Sequence, residues 1–389
     1  MRILFLSPQP FFQERGTTIA IDLMLKVLSE RDDEIDLLTF HLGEDRNYEN
    51  VTLTRIRPPL APASIEPGFS LKKVYCDLFL LRDAFKMMRA KRYDLIHAVE
   101  EASFIAMILS RIFRVPYVFD MDSSMSTQIL DQFKWVRPIG GLLRWLETLP
   151  LQRAIAVVPM CEDLAIHARR YSRGIVHVLK DVSLLTDASE ECSENLRRDF
   201  EINGPLLMYV GNLEAYQGID LLLESFAKLR ETHPNAQLII IGGSEQDIDK
   251  YQNKARDLRI DSQVRLVGPR PVAALGSFLR QADLLISPRI HGTNTPMKIY
   301  SYLDSGVAVV ATALPTHTQV MTENEAALTA PESTAMAETI AGLLEDPPER
   351  QRLARNAQNL IRREHSWDSF CKHVEFVFDE LESRLEPGS

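Results

Sequence analysis

Cysteine is scarce in this chain of 389 residues, and what there is has no pattern. Cys76, Cys161, Cys192 and Cys371 make no C-x-x-C and no metal-ligand spacing. That excludes a disulfide framework and fits buried thiols in a reducing, cytoplasmic compartment. Long apolar runs are missing as well: no stretch reaches the roughly 18 residues needed to cross a bilayer. The opening "MRILFLSPQPFFQERG" has an apolar segment too short and too early for a secretion signal. Positive charge is in deficit, with a net charge of −10, so nucleic acid is not an expected partner. The deficit is uneven. Residues 1–180 hold 24 Lys and Arg against 22 Asp and Glu, and the remainder holds 20 against 32.

Apolar strand-like runs alternate with helical patterns from end to end. "RILFLS", "EIDLLTF", "VTLTRI", "DLIHA", "PYVFD", "AIAVVP" and "IVHVL" occupy the first 180 residues. "LLMYVG", "QLIIIGG", "QVRLVG", "DLLIS", "VAVVAT" and "AALTA" occupy 206 to 330. Such alternation implies βαβ units, and continuous apolar strands imply parallel sheets covered on both faces. The break is the polar, strand-free stretch 181–205, which ends in Asn-Gly-Pro. The expected fold is therefore α/β: two doubly wound Rossmann-like domains, 1–185 and 203–366, facing across a cleft. The tail 367–386 carries Phe370, Val374, Val377, Phe378 and Leu381 at helical spacing.

Ligands of open α/β sheets bind beyond the carboxyl ends of the strands, which selects the loops to inspect. In "SPRIHGTNTPMKIYSYLDSG" (287–306), Thr295 suits an N-cap, Pro296 the first helical position and Gly306 the residue after the last turn. A helix over Pro296–Ser305 is expected. Its first turn holds Lys298, with Arg289 and His291 upstream and no carboxylate before Asp304. Cations there oppose the helix dipole unless an anion such as a phosphate is bound; the plainer reading lets Lys298 reach solvent. Gly292 and Asn294 belong to the same loop. Gly242 and Gly243 in "QLIIIGGSEQD" allow a close backbone approach by a ligand, or form an ordinary turn. In the first half, Gly16, Thr17 and Thr18 precede a helix, and His97, Glu100 and Glu101 follow the strand "DLIHA".

The chain resembles family 4 glycosyltransferases, group 1, of the GT-B fold. "LLMYVGNLEAYQGIDLLLESFAKL", "QLIIIGG", "VRLVGPRPVAALGSFLRQADLLISPR", "TPMKIYSYLDSGVAVVAT" and "LLEDPPERQRLARNAQNLIRREHSW" carry the likeness in order. "RGTTIAIDLMLKVLSERDDEIDLLTF" and "YDLIHAVEE" carry it more loosely. The resemblance implies a nucleotide-sugar donor, UDP- or GDP-linked, held by the C-terminal domain, and an acceptor held by the N-terminal one. It further implies sugar transfer with retention, no metal and no other cofactor, and a last helix that returns to the first domain. By position in the family pattern, Gly211, Asn212, Gln217, Gly242, Gly243, Arg289, Gly292, Asn294, Thr295, Pro296, Lys298 and Ser301 line the donor site. Gly16, Thr17, Thr18, His97, Glu100 and Glu101 are implied for the acceptor, and Asp122, His291 and Lys298 for the reacting centre. The departures are specific. The family usually has Arg and Lys where Asn212 and Gln217 stand, and two glutamates where this chain has no acid at 291–293 and Ser301. Ser301, about 7.5 Å along the helix from Pro296, is expected to take the ribose, and Arg289 and Lys298 the diphosphate.

The expected reaction moves a sugar to a glycan, lipid-linked or polyol acceptor in surface polysaccharide or glycolipid synthesis. The other reading is a non-catalytic partner that binds nucleotide-sugar; an epimerase on the same fold is a third. "VFDMDSSM" (118–125) also admits a D-x-D metal site, or a phosphatase with Asp120 as nucleophile. Two surfaces suggest peripheral contact with an anionic membrane, at its inner face. One is the strip 70–92, with seven basic and two acidic residues, including Lys72, Lys73, Lys86 and Arg89. The other is "FKWVRPIGGLLRWLETLPL" (133–151), which reads equally as a core-packing helix.

Overall fold

A computed structural model describes residues 1–65, 68–185, 194–292 and 294–385. The chain divides into two compact units, Met1–Lys180 with Phe370–Ser389, and Asp181–Ser369. Part of the polar break expected at 181–205, residues 186–193 with Cys192 among them, lies outside the described residues.

Unit 1 is built on seven parallel strands: β1 (Arg2–Ser7), β2 (Glu34–Thr39), β3 (Val51–Arg55), β4 (Leu95–Val99), β5 (Tyr117–Met121), β6 (Ala156–Pro159) and β7 (Ile175–Val176). Their order is β3-β2-β1-β4-β5-β6-β7. Unit 2 has β8 (Leu206–Val210), β9 (Gln237–Ile241), β10 (Val264–Gly268), β11 (Leu284–Ser287), β12 (Ala308–Thr312) and β13 (Ala327–Thr329), in the order β10-β9-β8-β11-β12-β13. All thirteen strand-like runs are strands, although "IVHVL" pairs over two residues only. The central strands are buried along their whole length, as both-face covering by helices requires. In each sheet the order reverses beside the first strand, between β1 and β4 and between β8 and β11. Helices leave to opposite sides there, so a crevice opens at the carboxyl ends.

The tail is helical over Pro347–Glu364 and Trp367–Leu385. All five stripe residues of the last helix are buried, and they belong to unit 1. Phe378 stacks on His97, 5.9 Å between ring centres, and Phe5 stacks on the same imidazole at 4.3 Å. Glu382 pairs with Arg31 at 2.6 Å and Glu380 with His177 at 2.7 Å. Phe378 is 1% exposed, so Phe378→Ala should destabilise unit 1 by about 3–5 kcal/mol, measured by urea unfolding followed through hydrogen exchange at β4.

Candidate functional site

In unit 2, β8 ends at Val210 and the chain turns at Gly211 with φ +145°. Two phenols hold this turn. Tyr209 donates its hydroxyl to the Asn212 carbonyl at 2.6 Å, and the Tyr302 hydroxyl accepts from the Val210 amide at 2.6 Å. Across the crevice, the helix after β11 runs Lys298–Asp304, starting two residues later than the Pro296 expected. Thr295 is not its N-cap: Met297 occupies that position and makes no side-chain cap. Seven residues make a weak dipole, so any anion here must be met by side chains and backbone amides.

Lys298 supplies the charge. Its ammonium lies 3.7 Å from the Tyr209 ring centre and donates to Gln217 Oε1 at 3.2 Å. A Cβ on Gly211 would stand 3.2 Å from Lys298 Nζ, so the amine borders the turn directly. Burial, and then repulsion from Arg289, hold the Lys298 amine well below the usual lysine range. Hydrogen-bond acceptance by an amide and a ring quadrupole does not replace a counter-charge. A bound anion would relieve that cost. Thr295 is buried beside this helix, with a hydroxyl that has no partner.

Several expectations for this loop change. Arg289 is 4% exposed and folds inward. It donates to the His291 carbonyl at 2.8 Å, the Asn294 carbonyl at 3.0 Å and Asn294 Oδ1 at 2.9 Å, with its guanidinium 5.0 Å from the Tyr216 ring centre. It therefore pins the loop. Gly292 exists for it: a Cβ there would meet the guanidinium at 2.4 Å. Ser301 is 0% exposed and accepts from the Leu184 amide at 3.0 Å, so it holds the chain entering unit 2 and does not face a ribose. Gly242 and Gly243 are required by packing, since Cβ atoms there would meet the Gly211 carbonyl at 2.1 Å and Leu213 at 2.5 Å. His291 is exposed, Pro296 buried and Asn212 exposed; Thr293 lies outside the described residues.

Behind the loop, Ser287 Oγ bonds His317 Nε2 at 2.9 Å, and His317 Nδ1 lies 2.8 Å from the Thr312 carbonyl. Thr312 in turn donates to the Arg289 carbonyl at 2.6 Å. The carbonyl fixes the proton on Nδ1, so Nε2 accepts from Ser287. Burial first, then Arg289 and Lys298, push the imidazole down to about 4.

In unit 1, Gly16 opens the helix Gly16–Glu30, and Thr18 turns its hydroxyl back to the Arg15 carbonyl at 3.0 Å; Thr17 is half-buried. His97 is 0% exposed, bonded through Nε2 to Asp120 at 3.1 Å. That buried pair is structural and removes Asp120 as a nucleophile open to solvent. Asp122 is buried just after β5. Glu100 sits at the β1/β4 crevice, accepting from Gln9 at 3.0 Å and from Ser123 at 2.9 Å. Burial, and then Glu101, raise its carboxyl above the ordinary range. Glu101 pairs with Lys73. Gln9, Ser123 and Tyr209 were not singled out from the sequence; each sits inside or just beyond a strand, where the apolar pattern hid it. No group of three or more His, Cys, Asp or Glu among the described residues could hold a metal ion.

Two doubly wound parallel sheets, each with its charged or polar groups at the reversal of strand order, define the GT-B class. The model for "Glycosyl transferase 4-like domain" matches residues 15–179, and that for "Glycosyl transferases group 1" matches 193–360. The chain belongs to the group 1 glycosyltransferases of family 4, as a divergent member. It is 24% identical over 304 residues to the D-inositol 3-phosphate glycosyltransferase of Corynebacterium efficiens, covering 74% of this chain and 71% of that one. It spans about half the length of the corresponding enzyme of Corynebacterium aurimucosum (25% identity, 51% of this chain, 49% of that one). Among solved structures, sucrose-phosphate synthase of Thermosynechococcus elongatus superimposes with TM-score 0.81 at 18% identity, over 98% and 99% of the two chains. Anabaena Alr3699/HepE in complex with UDP-glucose superimposes with TM-score 0.77 at 18% identity, over 98% and 100%.

The His317 network carries a pH signature. The imidazole is neutral in the fold to about pH 4 but has an ordinary value of 6.5 when unfolded. Stability is therefore full above about 6.5 and falls as pH drops toward 4, by about 3 kcal/mol for this group. Urea unfolding of unit 2 across that window should show the loss, and His317→Gln should flatten it.

Proposed function

We propose that this protein transfers a hexosyl group, with retention, from a UDP- or GDP-linked sugar to a hydroxyl of a glycan, lipid-linked or polyol acceptor. One observation carries the reading: the Lys298 ammonium is held beside Gly211, at the β8/β11 crevice, with no carboxylate on it among the described residues. A diphosphate is the ligand that such a place accepts. Lys298 stands against Gln217, the position at which relatives usually carry their own cation, so the charge has moved to another element and kept its location. The solved complexes of Alr3699/HepE with UDP and with UDP-glucose support the choice of donor.

In this reading Lys298 binds the diphosphate and stabilises the charge that grows on it as the glycosidic bond breaks. Arg289 adds positive potential while keeping the loop folded, and the Thr295 hydroxyl gains a partner. The acceptor hydroxyl attacks on the face that the diphosphate leaves, and the departing phosphate is the nearest base for its proton. Titration calorimetry with UDP and GDP tests this. Lys298→Met should weaken the preferred nucleotide at least tenfold, about 1.4 kcal/mol, and abolish sugar transfer from the matching labelled donor. Unchanged affinity in Lys298→Met would sink the assignment, and tight binding with no transfer to any lipid-extract acceptor would favour a non-catalytic binder.

A peripheral membrane contact is part of the proposal, with its origin revised. The basic strip is largely spent: Lys73 pairs with Glu101, and Lys86 and Arg82 both pair with Asp83. Apolar side chains face outward beside the exposed Lys72, Arg89 and Arg92. Leu71 is 80% exposed and Trp135 79%, and Ile139, Leu142 and Trp145 are also exposed. Phe69 meets Phe133 edge-on at 6.2 Å and so joins the two segments. No helix among the described residues is long and apolar enough to cross a membrane, so this surface would lie in the interface. Trp135→Ser with Trp145→Ser should lower sedimentation with vesicles of anionic lipid about tenfold; equal sedimentation removes the membrane from the proposal.

A further inference from the structure

Unit 1 holds a small cavity between the start of the helix Ala102–Phe113, the end of β5 and the helices Met125–Gln132 and Gly140–Arg153. Its walls include Glu100, Glu101, Ser103, Phe119, Ser123 and Glu147. Its volume is about 20 Å³, room for a single group the size of one water. Two features set it apart. Ser103 is among the residues that line it, is 0% exposed, and has a hydroxyl with no hydrogen-bond partner. Carboxyls also outnumber cations around it. Lys73 contacts Glu101, and Glu100 and Asp77 act on the same ammonium. Glu147 is met by the Ser124 and Ser126 hydroxyls at 3.0 and 2.6 Å. Asp77 Oδ1 is buried without a partner, and burial, then Glu101, push its carboxyl up to about 8.

We infer that this cavity takes the primary ammonium of an amine-bearing acceptor, with Ser103 and Glu100 as its ligands, and that it rejects phosphate. An ammonium has the size of the space and donates three hydrogen bonds, where Ser103 and Glu100 both have acceptor capacity left. It also supplies the positive charge that the carboxyls lack. A phosphate is larger than the space and would face the three glutamates that line it. The acceptor would then differ in charge from the inositol 3-phosphate named for the relatives. The inference rests on the proposed function only in assigning the amine to a sugar acceptor.

Saturation-transfer NMR titrations with glucosamine, ethanolamine, glucose and glucose 6-phosphate test it, with UDP binding measured on the same samples. Glucosamine should bind at least fivefold better than glucose, and glucose 6-phosphate worse than either. Glu100→Gln should erase the preference for the amine. Ser103→Ala should weaken glucosamine several-fold with an unchanged melting temperature, because the hydroxyl it removes has no partner in the free protein. Ethanolamine equal to glucosamine would place the amine on a lipid headgroup, and a large excess for glucosamine would place it on a sugar. Glucose 6-phosphate binding as well as glucosamine, or glucosamine binding unaffected by both substitutions, overturns the inference and leaves the cavity to a structural water. Failure of UDP to bind the wild type would instead count against the donor reading alone.

Discussion

A parallel sheet that grows outward in both directions from its first strand has to leave a gap where the direction changes. The helices that follow the two neighbouring strands go to opposite faces, and nothing closes the carboxyl edge between them. This chain meets that constraint twice. Gly211 and Lys298 stand at the gap between β8 and β11, and Gln9 and Glu100 at the gap between β1 and β4. Each unit puts an electrostatic imbalance there: in unit 2 a lysine amine with no carboxylate on it among the described residues, and in unit 1 crowded carboxyls.

The positive site is maintained at a cost in burial, and the surrounding residues show how. Tyr209 contributes a ring face, Gln217 a carbonyl oxygen, and neither neutralises the amine. Arg289, which could have competed for a ligand, is spent on folding its own loop over Gly292. His317 is kept neutral beneath them, so no third cation joins the pair at ordinary pH. The result is a lysine amine held at the turn by a ring face and an amide oxygen.

The fold was legible because buried parallel strands are written as continuous apolar runs, and "LLMYVG" or "VAVVAT" have no other easy explanation. The strand-end rule then led to Lys298 and Glu100, and the family resemblance to Gly211, without any coordinates. What escaped was anything that depends on where a side chain points. Ser301 has the right spacing for a ribose, yet its hydroxyl turns inward to the Leu184 amide. Lys73 counts toward a basic strip in one dimension and proves to be buried against Glu101 in three. Gly242 and Gly243 resemble a ligand-binding turn, and the close lie of one loop on another is a second reason for them that the sequence did not show. Tyr209 and Ser103 were invisible because a strand tyrosine and a helix serine look like ordinary structural residues.

The last helix has a further meaning. Phe378 covers His97, and Glu382 and Glu380 hold Arg31 and His177, all within unit 1. That helix is encoded nearly two hundred residues after β7 closes the sheet. A ribosome delivers domains in order, and the first usually folds while the second is being made. Here the first sheet leaves the tunnel with Phe5 already available to its central histidine, while the Phe378 cover is not made until the whole of unit 2 has been translated. The order of completion is thus the reverse of the order in which the units begin: unit 2 has its parts by Ser369, and unit 1 is sealed by a helix made after it.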